Sequence, residues 1–308
     1  MEAQTELVET GWELPTRERG LWSDAFRRLT RNRLAMGGLA VLLVVGAIAI
    51  ASGYVGDLRR YHPYQDQDYQ HLQEGPSSHH FFGTDNLGRD NWSRVLTGMG
   101  ISIEIGLGTQ AFVLLFGLAV GAAAALGGRI SDNLLMRLTD ITYAFPDLLF
   151  IILMRSVLSE RHWPVLDNPR LQVMLAIAMV NWTTLARLVR GQMLSLAERD
   201  YVVAARALGA SNRRIVFRHM LPNTLGPVIV AVTFGIPIAI FAEAALGFIG
   251  FGLPPPTASL GRLVADGYTY IQVNTWVVTF PAAAIAILML CFTFLGDGLR
   301  DALDPRLR

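Results

Sequence analysis

Three acidic residues lie in long apolar stretches, where a charged group is costly. Asp140 and Asp147 are seven residues apart, which places them on one face of a single helix, and Glu243 lies in the stretch AEAALG. Such residues commonly mark the path of a charged or zwitterionic solute. The alternative is structural pairing between helices, for which Arg137, three residues before Asp140, is a candidate partner. The sequence leaves both interpretations open.

The sequence contains no motif for an enzymatic centre. All 26 basic residues are arginine, so the lysine of a nucleotide-binding P-loop is absent. The six histidines show no HExxH spacing, and neither GxSxG nor CxxC occurs. Cys291 is the single cysteine, which excludes an intramolecular disulfide and a cysteine zinc site. We therefore predict no catalytic residue, no metal site and no cofactor bound by this chain.

Six stretches are long and apolar enough to cross a lipid bilayer as helices. Of the 308 residues 52% are apolar and 17% are charged, below the roughly 25% charged residues of a typical soluble domain. A helix of about 20 residues covers the roughly 30 Å hydrocarbon core of a bilayer. We predict an all-α integral membrane protein with spans at 34–53, 101–126, 134–155, 171–189, 225–248 and 275–296.

The placement of arginine predicts that both termini lie on the cytoplasmic side. In that orientation 17 arginines fall in inner segments and eight in outer segments, which agrees with the positive-inside rule. The net charge of +1 gives no indication of nucleic-acid binding. The predicted divisions are a cytoplasmic tail at 1–33, a first span at 34–53, an external segment at 54–100, a five-helix core at 101–296 with an inner loop at 190–224, and a cytoplasmic tail at 297–308.

The inner loop is predicted to form two short helices joined by a bend. Its first part places four side chains on one helical face, namely Tyr201, Ala204, Ala205 and Leu208. Gly209 follows at once, where a helix end commonly needs a left-handed residue, and Ser211 is a plausible N-cap for a second helix. Pro222 is predicted to stop that helix. The pair either receives a partner protein or rests on lipid headgroups.

This loop resembles the EAA loop of binding-protein-dependent ABC importer permeases. Ala204-Ala205, Gly209 and Leu221-Pro222 stand at the spacing of the family motif, whereas Val203 replaces its glutamate. Further motifs extend the resemblance over most of the chain, and they are most similar to the C-type membrane subunit of dipeptide, oligopeptide and nickel transporters. The motifs are FGTDNLGRDNWSRVLTG at 82–98, LMRLTDITYAFPDLLF at 135–150 and AEAALGFIGFGLPPPTASLG at 242–261.

The resemblance implies a type I ABC importer permease fold, with six transmembrane helices and a cytoplasmic coupling helix. It assigns the coupling role to Ala204, Ala205, Gly209, Ile215, His219 and Pro222. It implies a non-catalytic subunit that forms half of a pathway for dipeptides or oligopeptides in the inner membrane. The implied partners are a second homologous permease subunit, two cytoplasmic ATPase subunits that carry ATP and Mg²⁺, an extracytoplasmic solute-binding protein and membrane lipid.

The external segment contains a charged cluster for which two interpretations are open. Asp85, Arg89 and Asp90 lie in a stretch where Gly83 and Gly88 suggest tight turns. Within the resembled family, this region would receive the solute-binding protein. The alternative is a local ion-pair network that caps the second span.

Other functions remain possible from the sequence. A permease for nickel or another small solute fits the same family. A self-sufficient secondary transporter would move solute as the purified chain alone. A membrane-embedded enzyme would use Asp140 and Asp147 as a catalytic pair, and each single Asn variant would then lose turnover while assembly stays intact.

Overall fold

The computed structural model describes residues 21–54, 65–160 and 166–304. The predicted tails at 1–33 and 297–308 and the external segment at 54–100 therefore lie partly outside the described residues. Within that part of the chain, regular structure is helical. In chain order the helices are α1 (Leu21–Arg31), α2 (Arg33–Tyr54), α3 (Asn91–Leu126), α4 (Gly128–Ala144), α5 (Asp147–Glu160), α6 (Pro169–Ala197), α7 (Asp200–Ala207), α8 (Asn212–Ile215), α9 (Leu221–Phe248), α10 (Leu260–Tyr268) and α11 (Trp276–Leu303).

Four helical runs of the described chain are long and apolar enough to cross a membrane: α3, α6, the run from α8 through α9, and α11. Two bent pairs bring the total to as many as six, with 89° between α1 and α2 and 98° between α4 and α5. The 36 residues of α3 measure about 54 Å, well beyond the roughly 30 Å hydrocarbon core. One end of α3 therefore extends outside the bilayer.

The third predicted span, 134–155, is not one continuous helix. Phe145 ends α4 in an extended conformation, with φ −80° and ψ 145°, and α5 begins at Asp147. The cause is Pro146, because a proline ring disfavours helical geometry at the residue before it and supplies no N–H. The prediction that Asp140 and Asp147 share one helical face was therefore wrong, since the residues lie on different helices.

The contact between α3 and α6 forms the centre of the bundle. Gly117 and Gly121 let these helices approach closely: a Cβ on Gly117 would lie 2.7 Å from Leu185 Cβ, and one on Gly121 would lie 2.5 Å from the Ala186 carbonyl oxygen. Helix α9 packs against α3, and α11 packs against α2, α9 and α10. The two ends of this bundle carry the residues of functional interest.

Candidate functional site

The bend of the inner loop forms where the sequence predicts it. Helix α7 ends at Ala207, and Gly209 lies just beyond it with a φ of +80°, the left-handed conformation that glycine adopts without strain. The Gly209 N–H donates to the Arg206 carbonyl oxygen at 3.0 Å. The Ser211 hydroxyl then caps α8 by accepting from the Arg214 N–H at 3.4 Å. We call residues 200–220 the elbow.

Pro222 does not stop the second helix of the elbow. Helix continues from Asn212 to Phe248, and Pro222 lies in the first turn of α9. One wide π-helical turn, Val216–Met220, precedes it, and the Leu221 N–H donates to the Val216 carbonyl oxygen. A proline ring clashes with the carbonyl four residues earlier, so the wide turn makes room for Pro222 without ending the helix. The part of the elbow after Gly209 is thus continuous with a membrane-spanning helix.

The elbow has a buried face and an exposed face. Val202 is fully buried and Ile215 is 2% exposed, and both pack in one cluster with Met193 of α6. Leu208 and Phe217 are 88% and 63% exposed. Two buried side chains therefore anchor the elbow to the bundle, while large apolar side chains remain open to a partner.

The predicted coupling residues fall on both faces. Ala204, Gly209 and Pro222 are exposed, and His219 is half-buried with its ring 6.4 Å from that of Tyr201. Ala205 is also half-buried. Ile215 faces inward, so it anchors the elbow and leaves partner contact to its neighbours. The coupling role of the whole set stays a prediction.

Asp140 pairs with a different arginine from the one proposed. The Nη2 atom of Arg187 on α6 donates to Asp140 Oδ1 at 2.9 Å, and the Arg187 guanidinium lies 4.9 Å from the centre of the Tyr143 ring. Arg137, the partner considered from spacing, is exposed and makes no ion pair within the described residues. Asp147 is exposed at the start of α5. Asp140 therefore joins α4 to α6, and a pathway role for either aspartate stays a prediction.

A second ion pair between α4 and α6 was missed from the sequence. The Arg190 guanidinium makes two parallel hydrogen bonds to the Asp132 carboxylate. Bidentate geometry of this kind is the strong form of an arginine–carboxylate pair. Because 58 residues separate the partners, no local pattern reveals it. With Arg187–Asp140, it fixes the exposed α4 helix to the centre of the bundle.

Glu243 lies inside the helix packing, where none of its surface is exposed. The hydroxyl of Ser102 on α3 donates to Glu243 Oε2 at 3.0 Å, while Oε1 has no hydrogen-bond partner among the described residues. The carboxylate therefore joins α3 to α9. Its predicted place on the wall of a pathway stays a prediction, and in this conformation no solute reaches it.

We expect Glu243→Ala to lower the thermal unfolding midpoint of the purified chain. The truncation leaves a cavity between α3 and α9 and removes the acceptor of Ser102, which together cost about 2–4 kcal/mol. Glu243→Gln is the matched control, because it keeps the volume and an oxygen that accepts from Ser102. Equal midpoints for the Ala and Gln variants would contradict a structural role.

The charged cluster of the external segment is an ion-pair network at the start of α3. Asp85 is 2% exposed, its carboxylate contacts Arg94, and its Oδ2 lies 2.7 Å from Arg89 Nη2. Asp90 caps α3, because its Oδ2 accepts from the Ser93 N–H at 2.8 Å. These contacts show the local network that was one of the two interpretations from the sequence.

The network extends to partners that the sequence did not indicate. Asp90 Oδ1 lies 3.1 Å from His80 Nδ1, and Arg94 Nη2 lies 3.7 Å from Asp266 Oδ2. Asp266 belongs to α10, a helix that the sequence did not predict after the proline-rich stretch at 253–256. Nearby, the hydrogen bond between the His71 ring and the Asp68 carboxylate, which accepts it, raises the pKa of the exposed His71 ring. The network thus ties the external segment to α10, which lies between α9 and α11 in the chain.

Comparison with known proteins identifies the family. Residues 114–308 match the model of the binding-protein-dependent transport system inner membrane component, and residues 20–76 match the N-terminal membrane domain of oligopeptide transport permease C. The first match covers more than half of the chain. The chain belongs to the binding-protein-dependent permease family. It is therefore a multi-pass inner-membrane component of an ABC transporter, as the motifs predicted.

Relatives of this permease align over nearly its whole length. It is 39% identical over 288 residues to the oligopeptide transport system permease protein OppC of Bacillus subtilis, covering 94% of this chain and 90% of that protein. It is 39% identical to the dipeptide transport system permease protein DppC of Alkalihalophilus pseudofirmus, covering 93% and 90%. It is 37% identical to OppC of Escherichia coli K12, covering 96% and 94%.

A solved structure shares the fold of this permease. A chain of the inward-facing MetNI methionine ABC transporter superposes with a TM-score of 0.54 at 21% identity, covering 68% of this chain and 96% of that chain. At this identity the likeness concerns the fold alone. It confirms the predicted all-α architecture of a type I ABC importer permease.

Proposed function

We propose that this chain forms half of the translocation pathway of an ATP-dependent importer for dipeptides or oligopeptides. The relatives that align over more than nine-tenths of the chain are named oligopeptide and dipeptide permeases. The observation that carries the mechanism is the elbow: buried Val202 and Ile215 fix it to the bundle while Leu208 and Phe217 stay exposed. A rigid, anchored element with an open apolar face is suited to receive force from another protein.

The coupling proposal assigns ATP hydrolysis to partner subunits. Two cytoplasmic ATPases carrying ATP and Mg²⁺ would bind the elbows of this chain and of a second, homologous permease. Closure of the ATPases would move the elbow, and α9 would follow because helix is continuous through Pro222. A ligand-driven change needs an element with different contacts in two states, and the proposal assigns that part to the elbow.

The same proposal places the elbow inside the cell and the ion-pair network outside. The excess of arginine in the segments on the same predicted side as the elbow supports this orientation, with 17 arginines against eight. The external face would receive a solute-binding protein. The predicted division into tails, external segment and five-helix core belongs to the same proposal.

Reconstitution with partners tests this function. The chain, its homologous permease and two ATPases, expressed together with an external binding protein, are expected to take up dipeptides or oligopeptides into vesicles only when ATP is present. Uptake by the purified chain alone would contradict the proposal and favour a secondary transporter. Uptake of Ni²⁺ in place of peptide would keep the mechanism and change the substrate.

We expect Leu208→Glu to weaken ATPase association with the permease about tenfold or more. A largely exposed leucine that becomes buried on docking contributes roughly 1.5–3 kcal/mol, and a glutamate would instead need to be desolvated. Val273→Glu is the matched control, because Val273 is 81% exposed in the turn between α10 and α11, at the other end of the bundle. Co-purification of the ATPases measures the effect, and equal loss in both variants would contradict docking at the elbow.

A further inference from the structure

A long apolar groove of about 880 Å³ lies beside the elbow. One wall is the second half of α3, and the other is formed by the end of α6, α8 and the π-helical turn. The lining is mainly leucine, alanine and methionine, including Leu114, Leu118, Ala122, Met193 and Met220. Nothing within the described residues covers this groove. It is therefore open to a molecule with an extended apolar part.

The length of the groove matches one leaflet of a bilayer. Its lining on α3 runs from Ala111 to Leu126, which is about 22 Å along the helix axis. Half of the hydrocarbon core measures roughly 15 Å, so the groove runs from the middle of the membrane to the headgroup region. An acyl chain lying along α3 would fill it over this depth.

Two arginines border the groove near the elbow. Arg206 at the end of α7 and Arg213 in α8 line it, and both residues are exposed. Neither makes an ion pair within the described residues, in contrast to Arg187 and Arg190. Guanidinium groups at the membrane surface bind phosphate oxygens well, and basic pockets between spanning helices on the cytoplasmic side bind anionic headgroups. The polar end of the groove therefore selects a negative charge.

We propose that this groove binds an anionic phospholipid, with an acyl chain along α3 and the phosphate between Arg206 and Arg213. Because Met220 and Val216 of the π-helical turn also line the groove, the bound lipid contacts the elbow directly. Such a lipid would hold the elbow against α3 and make coupling sensitive to lipid composition. The assignment to the inner leaflet rests on the proposed orientation, whereas lipid selection depends on the groove alone.

Native mass spectrometry of the full chain with equimolar phosphatidylglycerol and phosphatidylcholine tests the charge selection. We expect the wild-type chain to retain phosphatidylglycerol preferentially. The double variant Arg206→Gln/Arg213→Gln should lose that preference roughly thirtyfold, because each arginine near an anionic headgroup contributes roughly fivefold. Arg218→Gln is the matched control, since it removes an exposed arginine of the elbow that does not line the groove. No preference in the wild-type chain, or an unchanged preference in the double variant, would overturn the proposal.

The acyl part of the site needs its own variant. Ala122→Trp should reduce retention of both lipids by filling the groove, while Ala283→Trp, at an exposed position of α11 outside the groove, should not. Equal retention by both tryptophan variants would show that the lipid binds elsewhere. A folding failure of Ala122→Trp would be evident from its unfolding midpoint. In that case the lipid preference of the arginine variants tests the proposal.

A photocrosslink distinguishes lipid from a helix of a partner subunit. Leu115→benzoylphenylalanine places the probe in the groove at a position that is 61% exposed. In the assembled complex in native membranes we expect a phospholipid adduct, and an adduct to a second permease would overturn the proposal. Absence of lipid selection in the wild-type chain, with intact ATP-dependent uptake of the assembled complex, would contradict this inference alone. Lipid selection without any ATPase association would instead contradict the proposed function.

Discussion

Replacing Gly209 by proline is expected to abolish ATP-dependent uptake while the chain still inserts into the membrane. Proline fixes φ near −65°, whereas Gly209 has φ +80°, so the chain must turn elsewhere. The substitution also removes the N–H that donates to the Arg206 carbonyl oxygen. Both effects redirect α7 relative to α8. We expect at least a tenfold loss of uptake in reconstituted vesicles and a matching loss of ATPase association.

Gly250→Pro is the control for this prediction. Gly250 has φ +90°, and its N–H also donates to a carbonyl oxygen three residues earlier. At both glycines the space that a Cβ would occupy is open, with no neighbouring heavy atom within 4 Å. The two substitutions thus impose the same kind of backbone change at opposite ends of the bundle. Gly250→Pro should keep ATPase association. Normal association in Gly209→Pro, or equal loss in both variants, would contradict a specific coupling role of the elbow.

The elbow was predictable because its signals are local. A glycine after an apolar helical face and a serine two residues later each specify their own backbone geometry. The spans were predictable for a similar reason, since hydropathy over about 20 residues is a property of one segment. The π-helical turn before Pro222 was missed because a proline near a helix start is compatible with either a break or continuation.

The pairing of charges was not predictable from one sequence. Arg137 is close to Asp140 along the chain, yet the pair forms with Arg187 on another helix. The break at Pro146 turns the chain by 98° and so changes which residues meet across the bundle. Arg137 and Asp140 share the continuous helix α4, so their spacing permits a pair, but Asp140 pairs instead with an arginine of α6. The turns at Gly83 and Gly88 indicated where the external network lies. The participation of Arg94 and Asp266 became evident only from the fold, because the two residues are far apart in the sequence.

Removal of the Asp85 carboxylate is expected to cause the largest loss of stability. Asp85→Ala leaves Arg94, which is 2% exposed, without its closest counter-charge, and it also removes the acceptor of the Leu87 and Arg89 backbone N–H groups. Breaking a buried ion pair from one side costs about 3–5 kcal/mol because the remaining charge stays desolvated. Asp266 lies 3.7 Å from Arg94 and compensates only in part. A lower unfolding midpoint in detergent and less folded chain in membranes would show the effect.

Glu104→Ala provides the comparison that separates burial from pairing. Glu104 Oε2 lies 2.6 Å from Arg170 Nη1, so this pair is also in direct contact, but its side chains are 47% and 41% exposed. An exposed pair contributes about 0–1 kcal/mol, since water solvates either charge when the other is removed. We therefore expect a small change for Glu104→Ala and a large one for Asp85→Ala. Equal changes in the unfolding midpoint would mean that the external network stabilises the start of α3 no more than a surface ion pair does. Binding of a partner protein would then be the better explanation for the charged cluster.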